Sequence, residues 1–333
     1  MYKTGIWHLV PARQLQSPRT RDVTSYQLLN EVAADKGACH PEADEIFESI
    51  VRHLRLSSGI FRSTYGQRFA DLDPIVNGIL HEVFGGANVE VHDWAASDCL
   101  ASAEWASALW TIFPSARVIA SDALLCLTEV SRRDGKEAYI LEPDGTPLQY
   151  IRPPFVVSLQ KPIPAYYPVN RVLASRAKRG LAEAQEASRR YQLSRELYRE
   201  WKAGEINLIH PRARRLAAQD TRFEARNHSV FAALPAPCHA IRTMNIFNRG
   251  YFEESQLRRG ARCVFDSLVE DGIWVVGRTR EEMHPPRNSV SIFQKVGQKA
   301  GQKPGAFKLL HRLNDGSEIE SLILSEAREP AGV

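Results

Sequence analysis

The spacing of hydrophobic residues changes period along the chain. Ser25–Ala34 and Glu42–Leu54 carry apolar side chains at helical intervals, with Ile46, Ile50, Val51 and Leu54 on one face, and both read as cover helices. A further helix is predicted over Pro74–Phe84, with proline in its first turn and Gly85-Gly86 beyond its end. From Asn88 onward short apolar runs alternate with longer amphipathic ones, the pattern of a mostly parallel α/β sheet. NVEVHDW is a strand, Leu100–Trp110 a helix and ARVIASD a second strand, a βαβ unit of ordinary size. TRFEARNHSVF, HAIRTMNIF and GIWVVGRT supply three more strands. A helix over Ser255–Leu268, with Leu257, Ala261, Val264, Phe265 and Leu268 on its apolar face, separates the last two. NSVSIFQKV and AFKLLHRL then form a closing antiparallel pair.

The interval between Asp122 and Thr221 is too long for one crossover, so it must hold an insertion. AYILEPDGTPLQYI predicts a hairpin, because Gly145 in the Pro-Asp-Gly turn can take positive φ. Seven prolines from Pro143 to Pro168 then keep the chain extended. A long polar helix over Val172–Trp201 follows, then a short INLIH strand and a helix over Arg212–Ala218. The expected division is an N-terminal helical cover at 1–86 and an α/β core at 87–325. An inserted hairpin and long basic helix at 132–204 interrupt that core. Residues 1–20 read as an irregular lead-in.

Composition narrows the functional classes. With 333 residues, 44% hydrophobic and 25% charged, the chain has ordinary globular usage and room for a large core. Its 43 Lys+Arg against 39 Asp+Glu leave only +4, which excludes a surface that binds polyanions everywhere. Basic charge is instead local, with 14 Lys/Arg against 7 Asp/Glu between Arg171 and Arg226. The bland reading of that stretch is a solvated helix face laced with ion pairs. Cys39, Cys99, Cys126, Cys238 and Cys263 are scattered without a CxxC pair, so reduced thiols and no metal site are expected. No run of 18 apolar residues occurs, and the first twenty residues lack an apolar signal-peptide core. A cytoplasmic protein with no membrane attachment is expected.

Chemistry concentrates where the first strand of the sheet ends. Val89–Leu100 is a strand closing in Asp93, then a run of small residues that opens a helix. In a doubly wound sheet the ligand sits at the carboxyl ends of the strands, where small residues let the backbone approach it. Asp122 ends the second strand 29 residues after Asp93, a position suited to a ribose diol. The pair suits an adenosine-containing cofactor. A dinucleotide fingerprint fits poorly, since G-x-G-x-x-G would fall on Ala95, Ser97 and Leu100, and leucine there obstructs close helix packing.

In these residues the chain resembles the Rossmann-like, class I S-adenosylmethionine-dependent methyltransferases. Their first motif is commonly D-x-G-x-G-x-G, and Asp93, Ala95, Ser97 and Cys99 occupy those places, with all three glycines replaced. Further on, Phe223–Phe231 and His239–Phe252 are similar to the third and fourth strands of the methyltransferases that esterify chemoreceptor glutamates. Asn227, Asn245 and the Tyr251-Phe252 pair carry that weaker likeness. The resemblance implies a seven-stranded sheet that binds S-adenosylmethionine. It places Asn227 and His228 beside the adenine and Met244 and Asn245 beside the methionine moiety, joining Asp93, Ala95, Ser97 and Asp122 as cofactor contacts.

Each of these residues has a structural alternative. Asp93 and Asp122 could cap the segments after them, Asp122 heading a helix over Ala123–Val130. Asn245 and Asn248 could satisfy turn backbone, and Trp94, Trp105 and Trp110 could be core. His92 should point away from Asp93 by strand alternation. INLIH could itself be a strand of the sheet, which would misplace the acid at Asp122. The function the resemblance implies is methyl transfer to an oxygen or nitrogen of a small-molecule acceptor. Candidates for any general base or orienting charge are His228, Tyr251, Arg249 and Glu281, and the segment with Arg62, Tyr65 and Arg68 is a candidate lid. The alternatives are a catalytically degenerate binding or scaffolding protein, and a methyltransferase of protein or nucleic acid. Aromatic residues are sparse among the basic ones, so nucleic acid is not expected as a partner. A homodimer contact through the inserted subdomain is expected.

Overall fold

The computed structural model describes residues 2–6, 25–29, 41–51, 56–57, 62, 65–162, 168–195, 198–297 and 306–326. Along the chain come β1 (Tyr2–Ile6), α1 (Pro41–Val51), α2 (Asp73–Phe84), β2 (Glu90–Trp94), α3 (Leu100–Leu109) and β3 (Arg117–Asp122). There follow β4 (Cys126–Arg132), β5 (Ala138–Leu141), β6 (Pro147–Arg152), β7 (Phe155–Pro162), α4 (Pro168–Ser194) and β8 (Trp201–Asn207). The chain ends with α5 (Pro211–Gln219), β9 (Phe223–Asn227), β10 (Cys238–Met244), α6 (Glu254–Ser267), β11 (Leu268–Arg280), β12 (Arg287–Val296), β13 (Ala306–Leu313) and α7 (Glu320–Glu326). Two units result, Met1–Thr64 with Leu124–Pro211, and Tyr65–Ala123 with Arg212–Val333. The expected boundaries at 86/87, 132 and 204 fall inside these units.

The first unit is a six-stranded sheet in the order β1-β7-β6-β5-β4-β8, antiparallel at every pairing. Alternation sends Leu127, Ile140, Leu148 and Ile206 to one face, where they pack against Tyr26, Leu29, Phe47 and Ile50. Val130, Tyr139, Tyr150 and Val157 take the other face and meet Leu173, Ala177, Ala184 and Ala187 of α4. The small residues of α4 let it lie close, and Tyr139 donates its hydroxyl hydrogen to the Ala177 carbonyl at 2.9 Å. The hairpin turn is present with Gly145 at φ 87°, but it belongs to a full sheet rather than a lone hairpin.

Several local expectations change here. Residues 2–6 form an edge strand, not an irregular segment, because β7 offers them a partner across the sequence. The region after Asp122 is strand β4, so Asp122 does not cap a helix over Ala123–Val130. The long helix spans Pro168–Ser194, earlier than the expected Val172–Trp201. Of the expected helix at Ser25–Ala34, residues 30–34 lie outside the described residues and the first helical turn begins only at Leu28. INLIH contributes to β8, which pairs with β4, and so takes no place in the parallel sheet.

The second unit contains a seven-stranded sheet in the order β9-β3-β2-β10-β11-β12-β13. The first five strands are mutually parallel, and β12 and β13 close the sheet as an antiparallel pair. From β2 the chain winds outward through β3 to β9, then returns to the other side of β2 for β10 and β11. The strand order therefore reverses between β2 and β10. This is the doubly wound, Rossmann-like α/β architecture, whose crevice opens at that reversal. Trp94, Ile241, Trp274 and Val276 face α6 and α7, packing on Leu257, Ala261, Val264 and Leu322. Each such fully buried aliphatic side chain contributes roughly 1.5–3 kcal/mol. Helix α6 begins with a capping box between Glu253 and Gln256, which ties down its first free N–H groups. Among the described residues, no helix is long and apolar enough to cross a membrane.

Candidate functional site

The carboxyl ends of β2, β3 and β9 converge beside the strand reversal. The turn from β2 into α3 is unusual in its backbone: Ala95, Ser97 and Cys99 take φ of 57°, 56° and 64°. L-residues with a Cβ pay about 1–2 kcal/mol each for the left-handed region. The alternate left-handed pattern that glycine normally supplies is therefore kept here by three residues that oppose it. Such outliers persist only where their surroundings over-determine them, and they cluster at functional sites.

Hydrogen bonds supply that determination. Ala96 N–H donates to the Ser121 carbonyl at 2.9 Å, and Ser97 N–H to Asp122 Oδ2 at 2.9 Å. Cys99 N–H reaches the Ala96 carbonyl at 2.9 Å, and Asp98 Oδ1 accepts from Leu100 N–H at 3.1 Å. His228 N–H donates to the Asp122 carbonyl at 2.9 Å, which brings the end of β9 to the same point. Asn227 lies opposite Asp122 in the register and is exposed. Ser97, Asp122, Asn227 and His228 are thus gathered at one edge.

Ser97 Oγ, His228 Nε2 and Trp94 Nε1 are buried polar atoms without a partner, as is His92 Nδ1 on the same strand β2. The Trp94 and His228 rings lie 4.6 Å apart by centroid. Buried polar groups are nearly always satisfied, so these atoms retain unused hydrogen-bonding capacity. Burial first, then the nearby Arg226, pushes the pKa of the His228 imidazole below its ordinary value.

The remaining candidates differ in burial and in hydrogen bonding. Asp93 is turned inward, 3% exposed, and accepts from Ser102 Oγ at 2.6 Å and from Arg242 Nε and Nη2 at 3.0 and 2.6 Å. Its carboxylate is thus bonded to α3 and to β10. Met244 is buried at the end of β10. Asn245, at φ 64°, accepts from Thr279 N–H through Oδ1 at 2.7 Å, and its own N–H reaches the Gly277 carbonyl at 2.8 Å. Asn248 closes the turn that follows. His92 lies on the sheet face opposite Asp93, its Nε2 3.2 Å from Glu90 Oε1, and Trp94 and Trp105 are fully buried. Glu281 is paired with Arg68 at 2.7 Å, Arg249 N–H bonds Glu318, and Tyr251 is 49% exposed.

The sequence reading missed Arg242. Its guanidinium is fully buried between Phe69 and Trp105, 4.8 and 4.4 Å from their ring centroids. Besides Asp93 it donates to Asp73 Oδ1 at 2.7 Å and to the Ala101 carbonyl at 3.2 Å. Burial alone would lower its pKa, but Asp93 and Asp73 outweigh that and hold it above the ordinary value. The available signal was an arginine in the middle of the apolar run HAIRTMNIF, where a charge must find an internal partner. The basic stretch from Arg171 to Arg226 is spent largely on ion pairs, among them Arg190–Glu186, Arg195–Glu205 and Arg222–Asp220. Among the described residues, no cluster of three His, Cys, Asp or Glu could hold a metal ion.

No protein-family model matches this sequence, and no curated protein matches it. Solved structures similar to it include a sugar N-methyltransferase from Streptoalloteichus, at 11% identity and TM-score 0.31, covering 78% of each chain. Another is an S-adenosylmethionine-bound amino pentose methyltransferase from Micromonospora echinaspora, at 10% identity and TM-score 0.31, covering 79% of this chain and 84% of that one. An O-methyltransferase of neocarzinostatin biosynthesis, complexed with S-adenosylhomocysteine and a dihydroxynaphthoic acid, aligns at 13% identity and TM-score 0.24. The alignment covers 62% of this chain but only 40% of that one. Superpositions this loose carry no argument; the doubly wound architecture is read from this chain's own strand order and pairing.

Proposed function

We propose that the second unit binds S-adenosylmethionine and that the protein transfers its methyl group to an oxygen or nitrogen of a small-molecule acceptor. The observation that carries this reading is the turn Ala95–Cys99. It leaves β2 beside the strand reversal with left-handed backbone at every second residue, and it faces Asp122 across a 2.9 Å hydrogen bond. That backbone lets main-chain groups approach a ligand closely. The residues at the edge fit an adenosine bearing an amino acid arm. Asp122 would accept from ribose hydroxyls as well as from Ser97 N–H, since a carboxylate has about four acceptor positions. The unpartnered Ser97 Oγ and His228 Nε2 would bond polar atoms of the same ligand, and Asn227 would border its base. Asp93, Met244 and Asn245 would act by shaping the frame.

When bound, the cofactor supplies an activated methyl on a sulfonium, with a thioether as leaving group. The protein's part is then alignment, because displacement needs nucleophile, methyl and sulfur in line. An acceptor hydroxyl or ammonium must lose a proton, so a base has to stand beside the acceptor for that step. Calorimetric titration with S-adenosylhomocysteine tests the reading. Micromolar binding by the wild type, weakened at least tenfold in Asp122→Ala, is expected. No heat at millimolar ligand would sink it.

A further inference from the structure

The turn Ala95–Cys99 holds three left-handed residues without one glycine; Ser121 and Asp122 hold its middle through Ala96 and Ser97 N–H, and Cys99 N–H closes on the Ala96 carbonyl. These bonds hold its middle and leave its flanks to other contacts. Asp93 precedes it on β2 and Ala101 follows it in α3, and one side chain reaches both. Arg242, on the neighbouring strand β10, grips the two oxygens of Asp93 at 3.0 and 2.6 Å and the Ala101 carbonyl at 3.2 Å. Its third donor set is anchored by Asp73 of α2 at 2.7 Å. Phe69 and Trp105 also pack on the guanidinium, 4.8 and 4.4 Å from it by ring centroid. A buried charge trio of this kind is no gain in stability over packed apolar groups, which leaves geometry as what it secures.

We infer that Arg242 is a positioning residue: it clamps both ends of the Ala95–Cys99 turn from behind and thereby holds its strained backbone in the shape that receives the ligand. This rests on the cofactor reading for the identity of the ligand, but not for the clamp. Lysine at 242 keeps the charge, yet one ammonium cannot span two carboxylate oxygens and a distant carbonyl.

The test is coupling between the clamp and the strain. In Arg242→Lys, affinity for S-adenosylhomocysteine should fall at least tenfold. Adding Ala95→Gly, Ser97→Gly and Cys99→Gly relaxes the turn. Those glycines should improve affinity by a factor at least five times larger in the Arg242→Lys background than in the wild type. Equal factors in both backgrounds would overturn the clamp, since additivity means that the arginine and the turn act independently. The same cycle is read in urea denaturation midpoints, where the glycines should raise the midpoint more in Arg242→Lys than in the wild type. A wild type that binds no ligand removes the cofactor reading, and the denaturation cycle still decides the clamp. If Arg242→Lys does not fold, Arg242→Gln with Asp73→Asn takes its place, removing one charge of each sign and leaving a side chain that reaches a single oxygen. The expected and overturning results are then the same.

Discussion

Ala95, Ser97 and Cys99 store strain that single substitutions can release. Ala95→Gly should raise unfolding free energy by about 1 kcal/mol, the left-handed penalty less the extra freedom glycine gains when unfolded. Urea denaturation measures it, and a loss of stability would mean the left-handed backbone is not there. Asp73 and His92 give the protein two opposed pH responses. Burial raises the Asp73 carboxyl to about 7, with Arg242 opposing and Asp93 adding to the rise. Its native pKa lies above the ordinary 3.8, so its contribution is fully present at low pH and is lost as pH climbs toward 7. That difference amounts to about 4 kcal/mol at most. Burial depresses His92 to about 4, opposed by its bond to Glu90. Its contribution is present above pH 6.5 and disappears as pH falls toward 4, about 3 kcal/mol at most. The wild-type curve of stability against pH should therefore be flatter than either variant's. Relative to Asp73→Asn the wild type should lose stability from pH 4 to 7, and relative to His92→Gln it should gain over pH 4 to 6.5. Parallel curves would refute both assignments.

Helices and strands that bury one face were readable because period and burial coincide. The βαβ segment, the three later parallel strands, helix Glu254–Ser267 and the closing antiparallel pair all have apolar residues at the spacing their packing requires. Strands β1, β4 and β7 were missed. Each has one partner distant in sequence beside any local one: β1 pairs with β7, and β4 with β8. The clustering of Asp122, Asn227 and His228 followed from position at strand ends, but the inward turn of Asp93 did not, because only Arg242 on a non-sequential strand explains it. Close packing makes one helix unusually intolerant. An added Cβ at Gly260 in α6 would sit 2.2 Å from the Phe247 ring. Gly260→Ala should therefore destabilise by about 1–2 kcal/mol, overpacking outweighing the gain in helix propensity. Thermal unfolding of Gly260→Ala beside Gly78→Ala, which meets nothing within 4 Å, measures this. A stabilised Gly260→Ala would mean that Phe247 has room to move.

Each unit is assembled from two separated stretches, yet each has its own sheet and core. Joining Tyr65–Ala123 to Arg212–Val333 through a short glycine-serine linker should give a cooperatively unfolding protein with the seven-stranded sheet intact. Circular dichroism during urea titration would show one sharp transition, and a broad transition with dye-binding apolar surface would count against it. Deleting 1–64 alone should instead bare Leu127, Ile140 and Leu148 and cause aggregation of the remainder.

Asp93 and Arg242 are 149 residues apart. At a synthesis rate of roughly 5–20 residues per second, the carboxylate waits about 7–30 s for its cation. Through that interval the arm from β2 to β3 carries an acid that cannot be buried and an open edge where β10 will lie. The centre of the parallel sheet, where the strained turn sits, is thus among the last parts of a nascent chain to close.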